Sequence, residues 1–140
     1  MKIPAGPEDL SADWLTSALR EGGAINKATV SSFEAGPLAE GGGHYGQIAR
    51  LGLDYDLDAA GAPESMVAKF SSATPKMRKR PNTIAAYERE VRFYQRLAHQ
   101  TSVPTPTCYY SDINTETGMH ILLRGPWLVR RWLQSRWLSP

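Results

Sequence analysis

The most constraining stretch of the chain runs from Glu40 to Phe70, EGGGHYGQIARLGLDYDLDAAGAPESMVAKF. It opens with a glycine cluster and closes on an apolar run that holds a single lysine. Between them Ala49, Leu51, Leu53 and Tyr55 alternate with smaller or more polar residues, the period of two that marks a strand with one covered face. The glycine loop therefore leads into a strand. Phosphate-binding loops of the dinucleotide and P-loop types instead open a helix and use its N-terminus. No helix is expected here, and no Gly-Lys-Ser or Gly-Lys-Thr occurs. What remains is a strand, a glycine-tipped turn, a second strand, and a lysine on the strand after.

A length of 140 residues suits one domain with a real core. An apolar content of 41% and a charged content of 21% are those of a soluble globular chain. The lone Cys108 excludes an internal disulfide, and no apolar run approaches the roughly 20 residues of a spanning helix. No charged start precedes an apolar signal core, so the expected location is cytoplasmic. The net charge of +2 conceals an uneven distribution. Four of the sixteen basic residues are arginines between Arg124 and Pro140, a stretch with no acid, so twelve remain against fourteen acidic residues. The body is mildly acidic, which does not suggest a nucleic-acid partner. The same terminal stretch carries Trp127, Trp132 and Trp137, three of the four tryptophans.

In chain order, Ser11 is placed to cap a helix whose apolar face is Trp14, Leu15, Ala18 and Leu19, with Leu10 and Leu15 as a hydrophobic staple and Gly22-Gly23 as the stop. Residues 28–35 read as a first strand, broken by Gly36-Pro37. Gln47 to Asp56 is its hairpin partner, and Glu64 to Phe70 a third strand with both faces covered. There Val67 and Lys69 share one face, and Met66, Ala68 and Phe70 the other. Residues 71–81 read as a basic loop. Asn82 to His99 is a helix with Ile84, Tyr87, Val91, Tyr94 and Ala98 on its apolar side. Thr107 to Ile113 and Met119 to Leu123 form a hairpin across the NTETG turn. The expected fold class is α+β: a five-stranded antiparallel sheet, a helix packed on it and an extra N-terminal helix.

Three features could carry chemistry. Gly41, Gly43 and Gly46 fit GxGxxG with Ile48 two residues on. Glycines let backbone amides approach phosphate oxygens, though a flexible hairpin tip would use them too. Lys69 sits in a mostly apolar strand, where an ammonium needs an anionic partner or must reach out to solvent. Glu90 lies beside the apolar stripe of its helix and is the better partner for Lys69. Glu88 instead has Arg92 at i+4 and reads as a surface ion pair.

In this order the three features resemble the N-terminal lobe of the aminoglycoside phosphotransferase and choline kinase group, most of all its ecdysteroid-kinase-like branch. The similarity covers about Leu10 to Leu123, and is carried by WLTSALR, EGGGHYGQIARLGLDY, SMVAKF, YEREVRFYQRLA and VPTPTCYYSD. The resemblance implies a protein-kinase-like N-lobe over residues 1–123. In it Gly41, Gly43 and Gly46 cover ATP phosphates, Lys69 binds the α- and β-phosphates, and Glu90, on an αC-type helix, holds Lys69 in place. Mg²⁺ is expected only with the complete family domain.

The resemblance stops at Leu123. The family continues into Glu-Asp-Leu, whereas this chain reads Arg124-Gly125-Pro126. Arg-Gly-Pro can be written CGA GGA CCT, and reading one base later gives GAG GAC CT, the codons of Glu-Asp followed by a leucine start. A frameshift near Leu123 is therefore expected, with residues 124–140 a poorly ordered, wrong-frame tail. The C-lobe, with its His-Gly-Asp run and metal-binding Asp, is absent from these residues: His44, His99 and His120 precede Tyr, Gln and Ile. Without the base and metal ligands no kinase activity is expected from this chain alone.

The implied partners are a nucleotide, and a small-molecule acceptor only if a C-lobe is supplied. Neither nucleic acid nor a specific membrane is expected, and self-association through an uncovered lobe face is. Two other readings remain: a non-catalytic nucleotide- or partner-binding module, and a nucleic-acid-binding protein using the basic loop and the Arg/Trp tail. That tail could also form a membrane-surface helix.

Overall fold

The computed structural model describes residues 1–37, 46–57, 61–97 and 106–125. Gly41, Gly43, Ala98, His99 and the tail beyond Gly125 lie outside the described residues. The chain forms an α+β domain in which five strands make one antiparallel sheet. These are β1 (Val30–Pro37), β2 (Gly46–Tyr55), β3 (Ser65–Ser71), β4 (Cys108–Asn114) and β5 (Met119–Arg124). Their order in the sheet is β1-β2-β3-β5-β4. The last hairpin thus inserts β5 beside β3 and leaves β4 at the edge.

Helix α1 (Ala12–Glu21) covers one face. The Ser11 hydroxyl accepts from the Trp14 amide at 3.0 Å, the N-cap the sequence anticipates. Leu15, Ala18 and Leu19 are fully buried, in one cluster with Ala49, Leu51 and Leu53 of β2, Met66, Ala68 and Phe70 of β3, and Ile121 and Leu123 of β5. Leu10 joins that cluster too, as a staple requires. Each large aliphatic side chain so buried contributes about 1.5–3 kcal/mol, so this layer supplies most of the driving force. Thr16 ties α1 to the sheet by accepting from the Val30 amide at 2.9 Å while donating to the Ala12 carbonyl.

The opposite face of β3 and β5 presents Val67, Lys69, His120 and Leu122, by strand alternation. Helix α3 (Pro81–Arg92) covers it with Tyr87 and Val91, and Tyr94 follows in the next turn. β3 is therefore buried on both sides, as its sequence implies.

Five expectations are corrected. β1 does not stop before Gly36-Pro37 but includes both, with Gly36 paired to Arg50 and Pro37, its last residue, to Ala49; an edge strand tolerates a proline whose missing N–H would face outward. Residues 71–81 are not loop throughout: α2 (Pro75–Arg78) forms there, and the Arg78 guanidinium turns in to donate to the Ser72 carbonyl at 3.3 Å. The long helix is not α-helical to its end, because Phe93–Leu97 widens into a π turn. Thr83, rather than the half-buried Ile84, lies on its fully buried side. Finally, β5 runs one residue past the expected end at Leu123. Arg124 belongs to β5, opposite Val67 and Cys108, and the Gly125 amide donates to the Thr107 carbonyl at 2.8 Å.

The end of α1 illustrates how closely the layers approach. Gly22 caps the helix against β4, and a Cβ there would collide with the Tyr109 carbonyl oxygen. Gly22→Ala is expected to lower stability by about 1–3 kcal/mol, as overpacking does. Gly52→Ala, where a Cβ meets open space, should stay within about 0.5 kcal/mol of wild type. Urea unfolding of the two variants checks the contrast.

Candidate functional site

Lys69 and Glu90 meet. The Lys69 ammonium donates to Glu90 Oε1 at 2.6 Å, from β3 to α3, with side chains 27% and 32% exposed. The neighbours of Lys69 in the sheet explain why it needs such a partner. Ile48 of β2 and Leu122 of β5 lie directly opposite it in register. Leu122 is fully buried and Val67, two residues along on the same face, nearly so. An ammonium leaving this apolar strand is stabilised by a carboxylate at charge-assisted hydrogen-bond distance. Because the pair keeps contact with water, its attraction is screened and its net contribution small.

The pair has support one helical turn back. Tyr87 precedes Glu90 by three residues, so both point at the sheet. Its ring stacks on His120, centroids 4.0 Å apart and planes 19° from parallel, and its hydroxyl accepts from the buried Ser72 amide at 2.9 Å. His120 is 2% exposed, and its Nδ1 has no hydrogen-bond partner. Burial first, and then the charge of Lys69, push its pKa down to about 4, so the imidazole is neutral. Burial also raises the Tyr87 hydroxyl, against the lowering effect of the Ser72 amide.

Of the three glycines assigned to the flap, Gly46 opens β2 opposite Ser71, and a Cβ on it would strike the Phe70 carbonyl oxygen. Close strand approach is enough to require glycine there. Beside it the Gln47 amide donates to the Ala5 and Ser71 carbonyls, at 2.9 and 3.1 Å, tying the N-terminal segment to the base of the hairpin.

Glu88 pairs with Arg92 at 2.6 Å on the outer side of α3, as the i,i+4 spacing anticipates. His120, Tyr87 and Ser72 form a unit that the sequence patterns do not single out. The available signal was a histidine in an apolar strand, MHILL, two residues from the position that pairs with Lys69. Cys108 is half-buried, and burial raises its thiol pKa, away from the reactive thiolate. Among the described residues, surface hollows of about 630, 450 and 650 Å³ lie around Asp54, Tyr109 and Asn114, the second lined in part by Cys108, and neither Lys69 nor Glu90 lines any of them. Among the described residues no group of three or more His, Cys, Asp or Glu is placed to hold a metal ion, and no helix is long and apolar enough to cross a membrane.

No protein-family model, no curated protein and no solved structure matches the chain.

A double-mutant cycle on Lys69→Met and Glu90→Gln is expected to give a coupling of no more than about 1 kcal/mol in urea unfolding, the range of solvent-exposed pairs. A coupling above about 3 kcal/mol would mean that the ion pair itself, rather than the packing beside it, seats α3.

Proposed function

We infer that this chain is the ATP-facing lobe of a small-molecule, hydroxyl-directed phosphotransferase of the aminoglycoside phosphotransferase and choline kinase type. The observation that carries the reading is the 2.6 Å contact between a lysine on the third strand and a glutamate on the following helix. Kinases use that pairing to hold a lysine at the α- and β-phosphates. The topology is compatible: a hairpin with a glycine-rich connection leads into β2, and β2 lies beside β3 in register from Gly46 to Gly52.

The residues present suit such a ligand. Lys69 offers a partly exposed ammonium already oriented by Glu90, and Val67 and Ile48 supply apolar surface on the same side of the sheet. Gly46 stands at the base of the flap, with Gly41 and Gly43 assigned to it by the sequence pattern alone. Lys69 would bind phosphate oxygens, and Glu90 would limit the positions open to its ammonium, which lowers the entropy cost of binding. A bound nucleotide would bring the transferable phosphoryl group. These 140 residues offer no His-Gly-Asp base or metal-binding Asp to complete a transfer, so ATP binding rather than turnover is the property to measure.

Weak ATP binding is therefore expected from the purified chain, followed by amide chemical shifts. Lys69→Ala should weaken it about ten- to a hundred-fold, the loss of one hydrogen bond to a charged group, with the far-ultraviolet circular dichroism unchanged. Equal binding by wild type and Lys69→Ala, or steeply salt-dependent DNA binding in place of ATP binding, sinks the reading.

A further inference from the structure

The contact between α3 and the sheet has two rungs on neighbouring turns. One is Glu90 on Lys69, at the surface. The other is Tyr87 on His120, inside. His120 and Leu122 are two apart on β5, and Leu122 is the register partner of Lys69, so the second rung lies directly behind the first. The surface pair is too exposed to set the height of α3 by itself. The buried stack, with the Tyr87 hydroxyl on the Ser72 amide, fixes that height and with it the reach of Glu90.

The inner rung tolerates one charge state. A protonated imidazole needs acceptors for both ring N–H groups. Nδ1 of His120 is buried without a partner, and the cation facing it from β3 is Lys69. From α3 the facing group is Tyr87, whose hydroxyl accepts from Ser72, with the Arg78 guanidinium of α2 nearby and Glu90 bound to Lys69. From β4 the register partner is Ile113, which does not titrate. Among the described residues no carboxylate is bonded to the imidazole to offset an added proton.

We propose that His120 is a positioning residue for the Lys69–Glu90 pair and makes that pair acid-sensitive: the neutral imidazole seats Tyr87 and α3, and its protonation releases both. The control of nucleotide binding by this device rests on the reading given above; the release of α3 does not. The sign follows from the folded midpoint of about 4, below the ordinary 6.5. A state with α3 lifted lets the imidazole take the proton at its ordinary value, so the seating is complete above pH 6.5 and is lost as the pH falls toward 4.

The test uses the full chain without nucleotide. Amide hydrogen exchange of α3, corrected for intrinsic rates, is compared between pH 7 and pH 4 for wild type and for His120→Phe, which keeps a stacking ring and cannot titrate. The wild-type opening equilibrium should rise on the order of 10²-fold over that range, and the variant should lose most of this dependence. Should His120→Phe not fold, the midpoint of the His120 ring resonance decides: near 4 in wild type, and higher in Lys69→Met, which removes the facing charge. An unchanged midpoint in Lys69→Met, a wild-type midpoint at or above 6, or equal acid loosening in His120→Phe overturns the proposal. ATP affinity is no part of these readouts, so loss of the nucleotide reading would appear separately, as absent ATP binding at every pH.

Discussion

A strand buried on both sides that nevertheless carries an ammonium is the constraint on which the rest of this domain depends. β3 lies between β2 and β5, gives Met66, Ala68 and Phe70 to the layer under α1, and turns Val67 and Lys69 to the other side. A lysine there must find an anion, reach water or lose its charge. The structure takes the first course while keeping part of the second, since Glu90 bonds to Lys69 and both remain about one-third exposed or less. That places an oriented positive charge at the boundary between an apolar sheet and solvent.

Around that charge the packing is mostly the work of uncharged groups. The two layers of the domain have different characters: the α1 side is a continuous aliphatic cluster, whereas the α3 side mixes Val91, Leu122 and Val67 with Tyr87, Thr83 and His120. Aliphatic packing fixes distance but tolerates sliding. A stacked ring pair and a hydroxyl on a backbone amide also fix direction. The helix that carries Glu90 to Lys69 thus sits on the more directional of the two layers.

Much of this architecture is legible in the sequence, and the illegible parts have physical causes. The alternation of Ala49, Leu51 and Leu53 and the helical spacing of Tyr87, Val91 and Tyr94 declare their elements because each buries one face. The Lys69–Glu90 pair follows from order and sheltering. Short-range chemistry misleads at Gly36-Pro37, which suggests a break but lies at the free edge of a sheet, a fact of topology rather than of local preference. The basic run from Lys76 to Arg80 looks wholly solvated because charge carries no direction in a sequence; only the fold shows that Arg78 turns toward Ser72. Its neighbours in sequence show only that His120 opens no His-Gly-Asp run; its packing depends on a ring from another element.

Of the GxGxxG glycines, Gly46 is the one whose surroundings the structure describes. At Gly46 the residue type is already accounted for, because the neighbouring backbone leaves no room for a Cβ. It therefore adds little weight to a phosphate-binding reading. The weight rests instead on Lys69 and Glu90, where packing offers no comparable reason for the residue types: a lysine in MVAKF costs desolvation that a leucine would not, and the attraction in the part-buried pair it forms is screened by water. On the proposed reading, this charge is kept in an otherwise apolar strand for the phosphate it would bind rather than for the stability of the sheet.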